Sequence, residues 1–131
     1  MKTLIGLETW HNFVKTKNNN GLSDFIAEDA VLHSPVVFTP IEGNFMVSMY
    51  LIAASEIIAN DNFKYVREVC DDTNAFLEFE TEIDGISVNG IDMIKFTEDG
   101  KLQEIKVMIR PLKAVNIVHQ KMGEYLQKMQ G

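Results

Sequence analysis

The chain has 131 residues, 46% hydrophobic and 24% charged, which is typical of one soluble globular domain. Its 19 acidic and 12 basic residues give a formal net charge of -7, so we expect neither nucleic acid nor an anionic membrane as a partner. A domain of this length buries roughly two-thirds of its unfolded surface and needs no disulfide or metal to fold.

The cysteine content and the N-terminal segment indicate the cellular compartment. Cys70 is the only cysteine, so no internal disulfide can form, and no cysteine or histidine spacing indicates a zinc site. The uncharged stretch 3–7 is too short for the core of a signal peptide. The apolar segment 44–55 falls short of the ~20 residues of a membrane-spanning helix. We expect a cytoplasmic protein with one domain, 1–131, and no cofactor or metal.

The first third of the chain predicts two helical segments and a strand. Apolar residues recur at three- and four-residue spacing over residues 7–14, which predicts an amphipathic helix carrying the only tryptophan, Trp10. A short helical turn is predicted at 22–26 and a short strand at 30–34, where Pro35 ends it.

The remainder of the chain predicts one buried helix followed by a sheet. Residues 44–60 are apolar almost throughout, which predicts a helix covered on most sides. In residues 75–83, inward Leu77 and Phe79 alternate with glutamates, which predicts a half-buried strand with a solvated outer row. Four antiparallel strands are predicted at 63–70, 75–83, 86–97 and 102–110, with a closing helix after Pro111. This is an α+β arrangement in which the sheet curls over the buried helix.

Five short motifs follow one another along nearly the whole chain: 27–35 (AEDAVLHSP), 40–43 (PIEG), 90–96 (GIDMIKF), 99–102 (DGKL) and 109–112 (IRPL). In this order they resemble the nuclear transport factor 2-like superfamily, which includes the SnoaL-like polyketide cyclases and the ketosteroid isomerases. The resemblance implies a cone-shaped, cystatin-like fold: a curved antiparallel sheet wrapped around N-terminal helices, with a C-terminal helix. It also implies an internal pocket and a homodimer formed through the outer face of the sheet.

The resemblance to ketosteroid isomerases implies one catalytic residue. Asp92 falls on the acid that donates a hydrogen bond to the developing oxyanion, and in those enzymes an apolar site keeps this carboxyl protonated. Val88 and Ile94 share its strand face, so we expect a raised pKa for Asp92. The base of those enzymes falls on Ser34 and their tyrosine donor near Trp10, so ordinary ketosteroid isomerisation is not expected.

Each candidate residue also has a plainer structural interpretation. Asp92 could instead face outward and meet a lysine, and Trp10 could belong to the core. His33 could act as a base, but the period of two puts His33 and Ser34 on opposite faces of their strand. Arg110 either orders the turn into the last helix or binds an anion. The candidates are catalytic Asp92 and His33, and ligand-binding Trp10, Ser34, Phe79, Val88, Ile94 and Arg110.

Two classes of function remain open from the sequence. The first is a SnoaL-like domain that binds an apolar small molecule and performs cofactor-independent acid/base chemistry of the isomerase or cyclase type. The second is a non-catalytic dimeric module that carries a ligand or binds a partner protein. A pocket of ~300 Å³ or more that contains Asp92 favours the first, and a cone filled by its own side chains favours the second. His119 stands alone in the sequence and suggests no site.

Overall fold

The computed structural model describes residues 2–130, with side chains for residues 5–129. The helices are α1 (Lys2–Thr16), α2 (Leu22–Phe25), α3 (Asn44–Ile57) and α4 (Leu112–Gln130). The strands are β1 (Ile26–His33), β2 (Ile41–Glu42), β3 (Lys64–Cys70), β4 (Asn74–Ile83), β5 (Ile86–Phe96) and β6 (Leu102–Arg110). Within residues 2–130, no helix combines the length and apolar character that crossing a membrane requires.

The six strands form one curved, open sheet in the order β2-β1-β6-β5-β4-β3. Strands β3 to β6 pair as the predicted antiparallel meander. The sheet is not wholly antiparallel, however, because β1 pairs with β6 in parallel. Since β1 comes from the first half of the chain and β6 from the second, this pairing joins the helical and strand-rich parts. The α+β fold with a curved sheet around helices is therefore confirmed.

Strand β1 begins earlier than its sequence predicts. Residues 26–29, interpreted as the end of a helical turn, are already in the strand, and Ile26 lies opposite Leu102 of β6. The register between β1 and β6 shifts between Ile26 and Val31. At such an irregularity two consecutive polar residues can lie in a strand, although they interrupt the alternation of apolar and polar residues by which strands are predicted.

Helix α3 lies across the concave side of the sheet, against β1 and α4. Its buried residues include Val47 and Leu51, which lie four residues apart on one face. The helix is less enclosed than the sequence predicts, because Phe45 is 73% exposed. Phe45 lies about 200° around the helix axis from Val47, away from the sheet. The helix ends at Ile57 and not at residue 60.

Two apolar clusters fill the space between the sheet and the helices. The first includes Trp10 and Phe13 of α1 with Ile94 of β5, and the second includes Phe79 of β4 with Val118 of α4. The alternation predicted for β4 and β5 is confirmed, since the inward residues of both strands are buried and the glutamates of β4 are half-buried or exposed. The clusters leave a cavity between them.

Gly90 permits a close approach that shapes this cavity. It lies opposite Phe79 in the β4–β5 pairing, and the Phe79 ring packs over its backbone. A Cβ atom at position 90 would overlap the Phe79 ring and come within 2.7 Å of the Met108 carbonyl oxygen. Glycine is therefore required here so that the Phe79 ring can lie flat against the sheet.

The Gly90→Ala variant should lower the free energy of unfolding by roughly 1–3 kcal/mol, because the added methyl group overpacks the sheet. The matched control is Gly123→Ala in α4, where a Cβ atom meets nothing within 4 Å. That change should be neutral or stabilising by about 0.5–1 kcal/mol, because alanine favours a helix. Urea unfolding followed by circular dichroism measures both. Equal effects of the two changes would contradict the close packing at Gly90.

Candidate functional site

A cavity of about 220 Å³ lies between the two apolar clusters. Its lining comes from α1, α3 and α4 on the helical side and from the sheet and the segment after β1 on the other. An engineered cavity of about 150 Å³ accommodates benzene, whereas pockets for drug-sized ligands begin near 300 Å³. The space therefore suits a molecule of one or two rings. It is smaller than the 300 Å³ used above as the criterion for a ligand pocket, but it contains Asp92.

Asp92 lies on the inner face of β5, between Leu77 of β4 and Val107 of β6 in the strand pairing. The residue is 7% exposed and lines the cavity. It does not meet a lysine on the outer face, so the alternative interpretation of this residue is wrong. A carboxyl group buried among apolar strands needs a hydrogen-bond partner or a proton.

A directed chain of two hydrogen bonds supplies that partner. The Trp10 indole Nε1–H donates to the Tyr65 hydroxyl oxygen at 2.9 Å, and the Tyr65 hydroxyl donates to Asp92 Oδ2 at 2.7 Å. Because an indole N–H can only donate, Trp10 makes the Tyr65 oxygen an acceptor and leaves the Tyr65 proton for Asp92. The direction of the chain is therefore fixed from α1 through β3 to β5.

Burial changes the acidity of both groups in this chain. Loss of water around Asp92 raises the pKa of its carboxyl to about 7, although the hydrogen bond from Tyr65 acts to lower it. Burial and the neighbouring Asp92 charge raise the pKa of Tyr65 well above its ordinary value. Near neutral pH, Tyr65 thus keeps its proton while Asp92 exists in both forms.

The hydrogen bond to Oδ2 also determines where Asp92 can hold a proton. Since Oδ2 accepts from Tyr65, the proton of the neutral acid belongs on Oδ1, which has no protein partner in the described part of the chain. A protonated Asp92 can donate to an oxygen atom of a ligand in the cavity. An ionised Asp92 can accept a proton instead.

Three of the predicted ligand-binding residues line this cavity. Trp10 and Phe79 form apolar walls, and Ser34 lies at the start of the segment that follows β1. The Ser34 hydroxyl accepts a hydrogen bond from the backbone N–H of Val36 at 3.1 Å, so it helps to hold this segment in place. Trp10 is both a core residue and a cavity residue, two roles that its sequence pattern left as alternatives.

The other predicted site residues lie outside the lining. Val88 and Ile94 point inward as expected but are packed within the second and first apolar clusters, respectively. His33 Nε2 lies 2.8 Å from a carboxylate oxygen of Glu104 on the neighbouring strand. Arg110 lies on the outer side of the sheet, where its Nη1 is 3.5 Å from the Asn89 side-chain oxygen. The structure therefore does not bring His33 and Arg110 together with Asp92.

Tyr65 and His119 are among the polar residues of the lining that sequence reasoning missed. Tyr65 shares strand parity with Phe63, and two aromatic residues at this spacing are a signal for an inward face. His119 shares a helical face with Met122, which also lines the cavity. Among the described residues, no group of three or more histidine, cysteine, aspartate or glutamate side chains could hold a metal ion.

Comparison with known proteins identifies the family. No protein-family model and no curated protein matches the sequence. Among solved structures, a steroid delta-isomerase from Pseudomonas aeruginosa is similar, with a TM-score of 0.92 and 30% sequence identity, covering 98% of this chain and 94% of that one.

Two further structures share the fold at lower identity. An uncharacterised protein with a cystatin-like fold from Silicibacter pomeroyi has a TM-score of 0.85 and 21% identity, covering 93% of this chain and 85% of that one. A nuclear transport factor 2-like protein of unknown function from Mesorhizobium loti has a TM-score of 0.73 and 16% identity, covering 84% and 92%. Because the 30% likeness extends over nearly the whole of both chains, the protein belongs to the nuclear transport factor 2-like superfamily.

Proposed function

We propose that the protein binds a small apolar ketone of one or two rings and catalyses a proton transfer within it, without a cofactor. The observation that carries this proposal is the buried Asp92, which lines an otherwise largely apolar cavity and receives its hydrogen bond from Tyr65. Membership of a fold family with a steroid delta-isomerase supports a small-molecule-binding domain of this kind.

The chemistry follows from the neutral form of Asp92. Its Oδ1–H donates to the ketone oxygen, and this hydrogen bond strengthens as negative charge develops on that oxygen during proton removal. The donation from Trp10 to Tyr65 and from Tyr65 to Asp92 polarises the acid in the same direction. Loss of a proton from the carbon next to the carbonyl is thereby favoured, which is the first step of an isomerisation.

The cavity volume determines the size of the ligand. A four-ring steroid needs a pocket in the range of drug-sized ligands, above about 300 Å³. The 220 Å³ between Trp10, Phe79 and α4 is smaller. We therefore assign this protein a more compact ketone than the name of its steroid delta-isomerase relative indicates.

A second proposal concerns the outer face of the sheet, through which we propose that two copies associate. Val69 is 64% exposed and Met108 51% exposed, and both line a groove on this face. Arg67 and Glu78 lie in the same groove and form an ion pair at 3.0 Å. A surface that carries apolar groups and both signs of charge can match its own copy across a two-fold axis.

The raised pKa of Asp92 gives the first prediction. The unfolded carboxyl ionises near pH 3.8, while the folded one stays protonated until about pH 7. Stability from this group is therefore complete below pH 3.8 and is lost as the pH rises through about 7. Relative to Asp92→Asn, the wild-type free energy of unfolding should fall by up to about 4 kcal/mol over this interval.

Urea unfolding at a series of pH values measures this loss of stability. Tyr65→Phe provides a second variant, because removing its hydrogen bond raises the pKa of Asp92 further and extends the decline to higher pH. Stability curves of the wild type and Asp92→Asn that run parallel across the interval would contradict a raised pKa in the folded state.

Ligand binding tests the role of the Asp92 proton. Acetophenone and α-methylstyrene have the same shape, but only acetophenone has an oxygen that can accept a hydrogen bond. Below about pH 7 the wild type should bind acetophenone about 3- to 10-fold more tightly, the value of one net hydrogen bond. The preference should weaken above that pH, when Asp92 has lost its proton. Calorimetric titration measures both affinities.

Two variants make this binding test specific. Asp92→Leu should lose the preference for acetophenone, because the leucine side chain has a similar shape but no donor. Asp72→Leu, which changes an exposed carboxylate outside the cavity lining, should keep it. A preference that survives in Asp92→Leu would overturn the proposed ligand contact.

The dimer is tested separately by sedimentation velocity. The wild type should sediment as a dimer, and Met108→Lys should weaken self-association at least about tenfold, since it places a charge in the apolar groove. Leu112→Lys is the control, because Leu112 is 74% exposed but lies at the start of α4, outside the groove. A monomeric wild type would overturn this proposal.

A further inference from the structure

The proposed reaction needs a group that removes a proton from the ligand, and we infer that this group is His119. This assignment rests on the proposed function. Asp92 supplies the hydrogen bond to the ketone oxygen and cannot remove the proton while it remains protonated. The lining contains one basic side chain among the described residues, the imidazole of His119.

The two other histidines do not line this cavity. His33 Nε2 is 2.8 Å from Glu104, and His11 Nε2 is 2.6 Å from Glu68, so each imidazole already has a carboxylate partner. In the described part of the chain, His119 has no hydrogen bond or ion pair, and its side chain is exposed where α4 borders the cavity. Its imidazole is thus free to exchange protons with a ligand and with water.

The helix that carries His119 also leaves space beside it. Met122, Gly123 and Leu126 follow His119 at spacings of three, four and seven residues, which place all four on one helical face, and all four line the cavity. A Cβ atom at Gly123 would meet nothing within 4 Å, so the helix surface one turn beyond the imidazole is open. This opening lets the reactive carbon of a ligand lie next to the imidazole.

Ser34 lies in the same cavity but cannot take this role. Its hydroxyl accepts a hydrogen bond from the backbone N–H of Val36. Hydroxyl groups are weak bases without a neighbouring imidazole or carboxylate, and the structure gives Ser34 no such hydrogen-bond partner in the described residues. Proton removal is therefore assigned to α4 and stabilisation of the oxyanion to β5. The ligand lies between these two elements.

The reaction of cyclohex-3-en-1-one shows how the protons and electrons balance. The imidazole takes a proton from the carbon between the carbonyl and the double bond, and the electron pair of that C–H bond moves toward the carbonyl oxygen. The resulting dienolate oxygen accepts the hydrogen bond from Asp92. The imidazolium then returns the proton to the far carbon of the former double bond, which gives the conjugated isomer, cyclohex-2-en-1-one, with His119 and Asp92 restored.

The test follows the appearance of conjugated enone absorbance with the whole chain of 131 residues. The wild type should isomerise cyclohex-3-en-1-one, and His119→Ala should lower kcat by about 100-fold or more, the usual contribution of a general base. Acetophenone should still bind His119→Ala and be preferred over α-methylstyrene, because the proposed hydrogen bond from Asp92 to the ketone oxygen remains. His33→Ala, which changes a histidine outside the lining, should retain the wild-type rate.

Added imidazole gives a readout that a structural role would not produce. His119 is exposed at the cavity, so free imidazole can enter the space left in His119→Ala and should restore part of the rate in proportion to its concentration. A wild-type rate in His119→Ala would overturn the assignment of His119 alone. A wild type that binds acetophenone without isomerising the enone would overturn the proposed catalysis together with this assignment, and would leave the proposed ligand contact of Asp92 in place. A wild type that does not bind acetophenone would overturn the proposed function and this assignment together.

Discussion

The site depends on one constraint, which is that the Asp92 carboxyl is buried among apolar groups and largely removed from bulk water. Ionisation there is opposed by burial, and the hydrogen bond from Tyr65 offsets only part of this cost. The three groups of the chain come from three elements, α1, β3 and β5, that are far apart in sequence. The acidity of Asp92 is therefore a property of the whole fold, because it is set only when α1 covers the concave side of the sheet.

The same constraint explains why the acidic character of the protein does not extend to the cavity. The inner face of β4 carries Leu77 and Phe79, whereas its outer face carries glutamates, one of which pairs with Arg67. With Asp92 protonated, the one carboxyl group of the cavity lining carries no charge before the proposed reaction. A neutral, apolar molecule loses little on leaving water for such a space, and this supports the proposed ketone over a charged metabolite.

The parts that could be predicted from the sequence are those with a strong local period. Alternation in β4 and β5 placed Asp92 on the inner face, and the turns between the strands gave the meander nearly to the residue. Tyr65 was missed because the other residues of β3 are exposed, so that edge strand shows no alternation beyond Tyr65 itself. The predicted start of β1 was wrong because a register shift interrupts the pairing of β1 with β6 near its beginning. His119 was missed because only the packing of α4 against the other elements brings it to the cavity.

Because β5 carries the proposed acid and α4 carries the proposed base, changes in these two elements should affect a reaction differently. Asp92 is held on both sides by strand pairing and in front by Tyr65, so its donor position is as rigid as the sheet. His119 is held only by the packing of a helix whose outer turns are solvated, and its side chain has no partner of its own in the described residues. A change in α4 would therefore alter which carbon of a ligand meets the proposed base and leave the proposed oxyanion contact in place. In the proposed reaction, the sheet would determine that a ketone binds, and α4 would determine which of its protons is removed.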